Sequence, residues 1–259
     1  MEIIAIANQK GGVGKTTTAV NLTASLAAKR KNVLLIDLDP QGNATSGTGV
    51  DKNELELTIA DALLDGVSLA DIIVTSPAGF DVIGANRDLA GMDITLMSKT
   101  DSHELFKNAM EALVKSQADN NAPAYDYVII DCAPSLNLLT INALVATDGI
   151  IIPMQCEYYA LEGLADLSQT IERLTELNPK LYIRGVVRTL FDSRNTLARD
   201  VSTELEAHFG DTMYKTRIPR NIRLAEAPAH GMPVTAYERW SKGARAYHKL
   251  AAEVMKQSS

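Results

Sequence analysis

Apolar residues along this chain fall mostly into short runs that end in polar or glycine-rich turns, with longer stretches of helical spacing between them. The runs at 3–7, 33–37, 81–85, 127–131, 149–153 and 182–188 read as strands. Val33-Leu34-Leu35-Ile36 and Val128-Ile129-Ile130 are unbroken, as strands covered on both faces require. Helical spacing predicts helices over 16–28, 59–64, 102–117, 136–146, 161–177, 198–209 and 241–256. Alternation of the two element types predicts an α/β fold, a mostly parallel twisted sheet with helices on both faces. There is no internal repeat or long linker to divide it, so residues 1–259 are expected to form a single domain. Ligands of such open sheets bind beyond the carboxyl ends of the strands.

The turn after the first strand reads Asn8-Gln9-Lys10-Gly11-Gly12-Val13-Gly14-Lys15-Thr16-Thr17-Thr18 and runs into a helical pattern. Glycines let backbone approach an anion closely, and successive N–H groups at a helix start form an anion nest. Lys15 is spaced to reach the β- and γ-phosphates of a nucleotide, and Thr16 to ligate Mg²⁺ directly. The usual phosphate-loop pattern wants glycine at position 9. Here it is Gln9, and an additional lysine, Lys10, opens the loop.

Two more strands end in acids. Leu34-Leu35-Ile36-Asp37-Leu38-Asp39 closes on a Pro40-Gln41-Gly42 turn, and Val128-Ile129-Ile130 leads to Asp131. Phosphoryl transfer asks for charge neutralisation and a positioned water. Asp39 is the candidate for orienting the water. Asp131 is the candidate for the outer shell of the metal and Asp37 for support, both acting on Mg²⁺ through water.

Composition narrows the picture without redirecting it. At 46% hydrophobic and 22% charged, the chain has an ordinary globular balance. The single Trp speaks against aromatic platforms for single-stranded bases. Cys132 and Cys156 lack metal-ligand spacing and fit a reducing compartment better than a disulfide scaffold. The first residues enter a strand directly, without a targeting pattern, and the apolar runs are far short of a membrane span. Net charge is −7, but unevenly spread: residues 1–172 carry 10 Lys+Arg against 23 Asp+Glu, and residues 173–259 carry 15 against 9. A basic last third on an acidic body is a candidate footprint for a polyanion.

These residues resemble the deviant Walker A ATPases, the family of ParA/Soj, MinD and the nitrogenase iron protein. The likeness is greatest to the small ParA/Soj branch. It is carried by KGGVGKTTT at 10–18, DLDPQGN at 37–43, DCAPS at 131–135, PMQCEYYALEG at 153–163 and IPRNIRLAEAP at 218–228. It implies a P-loop NTPase fold, ATP with Mg²⁺, slow hydrolysis to ADP and phosphate, and an ATP-sandwich homodimer. In that dimer Lys10 reaches phosphates held by the partner subunit, and Glu157 stands where relatives place an acid that meets this lysine. Nucleotide contacts would come from Lys10, Gly11, Gly12, Val13, Gly14, Lys15, Thr16 and Thr17, with Lys10, Lys15 and Asp39 catalytic and Pro219 and Arg220 in the segment flanking the adenine.

The resemblance further implies non-specific binding of double-stranded DNA by the dimer, hydrolysis stimulated by a ParB-like protein, and a cytoplasmic, nucleoid-associated location. Arg194, Arg199, Arg220, Arg223, Lys242 and Arg245 are the candidate DNA contacts. With nine residues ahead of Lys10, no N-terminal helix-turn-helix domain is expected. A MinD-like reading, acting on a membrane or protein cargo, needs an amphipathic C-terminal helix; residues 241–256 are better explained by core packing, and no stable membrane association is expected. A cluster-bearing electron-transfer ATPase needs ligating cysteines, and a non-hydrolysing scaffold would not need Lys15, Thr16, Asp39 and Asp131 together.

Overall fold

A computed structural model describes residues 1–99, 101–158 and 169–258. Its strands are β1 (Glu2–Ile6), β2 (Val33–Leu38), β3 (Ile73–Thr75), β4 (Asp81–Ile83), β5 (Tyr127–Cys132), β6 (Gly149–Gln155), β7 (Tyr182–Phe191) and β8 (Met213–Pro219). They form one sheet in the order β3-β4-β2-β5-β1-β6-β7-β8. Every pairing is parallel except that of β3 with β4. The helices named here are α1 (Lys15–Ala27), α2 (Asn43–Gly47), α3 (Ile59–Asp65), α4 (Met92–Met97), α5 (Leu105–Asp119), α6 (Leu138–Val145), α7 (Thr196–Phe209), α8 (Ile222–Glu226), α9 (Val234–Tyr237) and α10 (Lys242–Gln257).

Successive residues of a strand face opposite sides of the sheet, and the two cores follow that alternation. Ile3, Ala5, Leu34 and Ile36 pack with α3, α5, α6 and α7 on one face. Ile4, Ile6, Val33 and Leu35 pack with α1 and α10 on the other. Burying each such branched side chain contributes about 1.5–3 kcal/mol, which is why the unbroken apolar runs take the sheet centre.

All six expected strands are present, with ends shifted by a few residues. The sheet also has two edge strands that the periodicity did not reveal. β3 is three residues long. β8 alternates buried and exposed positions and places Lys215 and Arg217 outward, so its polar half hides the strand signal. Helical residues over 169–174 match the last part of the helix expected at 161–177; residues 159–168 of that stretch lie outside the described residues.

α10 packs through Ala244, Tyr247, Leu250, Ala251 and Val254, all buried. Its apolar face therefore lines the core, as the sequence spacing suggested. No described helix is long and apolar enough to cross a membrane.

Candidate functional site

The register places the chemistry. Ile6 at the end of β1 lies beside Asp131 on β5, and Asp131 lies beside Asp37 on β2. The glycine loop therefore opens next to both carboxylates. Within it Gly12 and Gly14 take φ of +74° and +86°, left-handed values that a side chain would strain. Gly14 starts α1, and the first turn has neither a side-chain cap nor an acidic residue. Its leading N–H groups are thus available to an anion.

Lys15 is buried, and its ammonium donates to the Lys10 carbonyl at 3.1 Å. Burial lowers its pKa, and Asp131 first, then Cys132 and Asp39, act in the opposite sense. Lys10 lies at the surface of the loop, with its ammonium 2.6 Å from Glu157 Oε2 of the same chain. The structure thus brings together the extra lysine and the acid singled out with it.

The two strand-end aspartates differ in their surroundings. Asp37 receives three hydrogen bonds: its Oδ2 accepts from the Thr45 N–H and hydroxyl, both at 2.8 Å, and its Oδ1 from the Asp39 N–H at 3.0 Å. Burial nonetheless pushes its carboxyl up to about 6. With these donors in place, Asp37 anchors the turn that carries Asp39. The half-exposed Asp39 in turn accepts from the Gln41 N–H at 2.9 Å, and Lys52 braces the turn by donating to the Gln41 carbonyl.

Asp131 is fully buried, and no donor meets either oxygen with hydrogen-bond geometry. Burial, then the negative Asp37, holds its carboxyl well above the usual range, although the Thr16 hydroxyl and Lys15 favour its charged form. A bare buried carboxylate is costly unless a cation completes it. Asp131 and Thr16 offer only hard oxygen ligands, and that donor set fits Mg²⁺ with retained waters.

Beside the loop opens a cavity of about 420 Å³ whose walls include Gly14, Thr17, Leu190, Arg220, Asn221 and Ile222. Its size and its contact with the helix start suit a nucleobase. Asn221, the end of the segment expected to flank the adenine though not named as a contact, lines it with a buried Oδ1 that has no partner. Thr189 was also missed; its hydroxyl donates to the Val13 carbonyl at 2.7 Å. The expected pair at this segment divides: Arg220 lines the cavity, whereas Pro219 lines a separate groove.

That groove, of about 730 Å³, runs between β8 and α10 and carries Lys215, Arg217, Lys242, Arg245, Lys249 and Lys256. Lys242 and Arg245 were anticipated; the other four were not, although 242, 245, 249 and 256 repeat at the spacing of one helix face. The remaining DNA candidates stand elsewhere. Arg194 is held by Asp192 at 2.7 Å and Arg223 by Glu226 at 2.7 Å. Arg199 donates to the Ser193 carbonyl and the Thr196 hydroxyl at the start of α7. Both cysteines pack in the apolar core. Burial pushes the Cys156 thiol up to about 11 and that of Cys132 higher still, so each behaves as a small core residue.

A cradle of this kind, opening onto a bare buried carboxylate, belongs to the phosphate-loop nucleoside triphosphatases. The family model described as "AAA domain" matches residues 1–183. The chain is 51% identical over 255 residues to the sporulation initiation inhibitor protein Soj of Bacillus subtilis, covering 98% of each. It is 48% identical over 257 residues to the chromosome partitioning protein ParA of Caulobacter vibrioides, covering 98% of this chain and 94% of that one. The protein is a member of the ParA/Soj family of partitioning ATPases.

Solved structures agree in fold. Cobyrinic acid a,c-diamide synthase of Mycobacterium smegmatis, with bound ADP and magnesium, superposes at a TM-score of 0.84 and 35% identity over 100% of this chain and 95% of that one. A putative plasmid partition protein of Borrelia burgdorferi bound to AMPPNP gives 0.81 and 26%, over 100% and 99%.

Proposed function

We propose that the protein is an ATP-switched DNA-partition motor. ATP with Mg²⁺ occupies the 10–17 loop, with Thr16 and Asp131 on the metal side and the base in the cavity beside Gly14. Bound Mg²⁺ supplies neutralisation of the charge that develops on the transferring phosphoryl group. Lys15 adds a second positive charge at the same oxygens. Asp39, on the turn braced by Asp37 and Lys52, orients the attacking water. Asn221 presents its unpartnered oxygen to a donor edge of the base.

Lys10 serves a second subunit. In the single chain it is tied to Glu157 at 2.6 Å across the mouth of the site. A triphosphate on a facing subunit offers it a stronger anion, so pairing of two chains is favoured by ATP and disfavoured once the γ-phosphate leaves.

The observation that carries the DNA reading is the groove along α10. Its six cations share their walls with one carboxylate, Glu253, and Arg217 is also paired with Glu206 at 3.0 Å. Glu253 already accepts the Lys215 N–H at 2.8 Å and the Thr216 N–H at 3.0 Å. The other five cations form a stripe suited to phosphates and indifferent to base sequence. Two such grooves in one dimer multiply weak contacts by effective concentration. The switch also needs an activator of hydrolysis, in the role of a ParB-like protein. Identities of 48% and 51% to partition proteins, against 35% to a diamide synthase, favour this reading over a biosynthetic one.

Sedimentation of the Asp39→Ala protein tests it. With ATP the variant should sediment as a dimer and co-sediment with plasmid DNA, and with ADP it should do neither. A monomer in both nucleotides, or DNA binding indifferent to nucleotide, overturns the proposal.

A further inference from the structure

Val13 stands between two glycines with left-handed backbone, Gly12 and Gly14. A glycine tolerates both signs of φ, so the Val13–Gly14 peptide can turn over at little cost unless something outside the loop fixes it. Thr189, at the carboxyl end of β7, does so. Its hydroxyl donates to the Val13 carbonyl at 2.7 Å, and it is 2% exposed. Its Cβ and Cγ2 also stand 3.9 Å from where a Gly14 Cβ would lie, so hydroxyl and methyl grip the same peptide. In a planar trans peptide, C=O and N–H point opposite ways. With the Val13 carbonyl drawn toward β7, the Gly14 N–H is turned away from β7.

The next residue explains how one strand end serves two parts of the site. Leu190 takes φ of +50°, a conformation rare for leucine and typical of functional constraint. In a regular strand Thr189 and Leu190 would face opposite sides of the sheet. With the left-handed turn at Leu190, both residues line the base cavity while the Thr189 hydroxyl also reaches the loop.

The geometry points to Thr189 as a positioning residue for the phosphate cradle: it latches the Val13–Gly14 peptide so that the Gly14 N–H faces the bound phosphates. This rests on the placement of the polyphosphate in the 10–17 loop. Thr189 touches no phosphate itself and acts through the peptide it holds.

The test compares Thr189→Val, which keeps the shape and loses the hydroxyl, with Thr189→Ser, which keeps the hydroxyl. Each is titrated with Mg²⁺·ATP, with tripolyphosphate and with adenosine. Loss of one buried hydrogen bond that orients a charged contact should weaken ATP and tripolyphosphate by about tenfold in Thr189→Val. Thr189 also lines the base cavity, but valine keeps its shape there, so adenosine should bind as to the wild type, and Thr189→Ser should restore ATP to within about threefold. Unchanged ATP affinity in Thr189→Val, equal weakening of adenosine, or a serine variant as weak as the valine one overturns the latch. Lys15→Ala separates this from the parent reading: if it binds ATP normally, the loop assignment fails; if it is impaired while Thr189→Val is normal, only the latch fails.

Discussion

Replacing Asp131 with asparagine should stabilise the empty protein and weaken the loaded one. In the wild type a fully buried carboxylate lies beside the equally buried Asp37; no donor meets it with full hydrogen-bond geometry, and only the Thr16 hydroxyl and Lys15 favour its charge. Leaving such a group unpaired costs about 1–3 kcal/mol, more when it is charged. Asparagine keeps the volume and removes the charge, so without ligand at pH 8 the variant should gain about 2 kcal/mol. For a chain of this size that is a rise in Tm of roughly 4–8 °C.

The gain has a sign in pH. The folded pKa of Asp131 is raised, so the folded state holds a proton that the unfolded state has lost. Wild-type stability at this group is therefore present below the unfolded carboxylate pKa and lost as pH rises toward the folded one. The advantage of the variant should shrink on acidification toward pH 4 and reach its full size at alkaline pH. With Mg²⁺·ATP at a hundred times its Kd, the wild type should gain about 2.7 kcal/mol. The variant should gain markedly less, because a neutral amide offers no negative charge to the metal, and the two stability curves should cross. Differential scanning fluorimetry with and without Mg²⁺·ATP at several pH values reads all of this. An apo variant no more stable than wild type at pH 8, or one that responds fully to Mg²⁺·ATP, refutes the reasoning.

Two further outcomes are expected. Lys242→Ala with Arg245→Ala should weaken DNA binding and flatten the slope of log K against log salt by about 2, measured by anisotropy across a salt series; an unchanged slope removes both from the phosphate contacts. Gly185→Ala should cost about 1–3 kcal/mol of stability in a denaturant melt, because its new carbon would stand 2.7 Å from Cζ of the buried Tyr214 ring; a variant as stable as the wild type would show that the ring yields freely.

How much of this was legible in the chain depends on locality. The cradle at 10–18 and the acids after β2 and β5 are contiguous motifs, and their strands are unbroken apolar runs, so period and motif agree. β8 escaped notice because an edge strand needs only alternate apolar residues, and its Lys215 and Arg217 look like loop charges. The groove escaped for a related reason. Its helix half is a visible stripe, but its other wall comes from that unseen strand. Thr189 carries no motif, and Asn221, although inside the segment at 218–228, was not singled out by it. A threonine that binds a carbonyl 176 positions away, and an amide oxygen left bare in a cavity, are products of long-range packing. The resemblance placed Pro219 and Arg220 together, whereas their side chains line different hollows.

The Glu253 contacts along β8 bear on how copies of the protein can associate. A sheet border with free amides invites a second chain to add on as another strand and so to polymerise. Here one carboxylate from α10 occupies the amides of Lys215 and Thr216 and also takes the Thr216 hydroxyl. That stretch of border is closed to strand addition, and neighbouring lysine and arginine side chains repel a like surface. Self-association by strand addition is thereby disfavoured along this stretch of the β8 border.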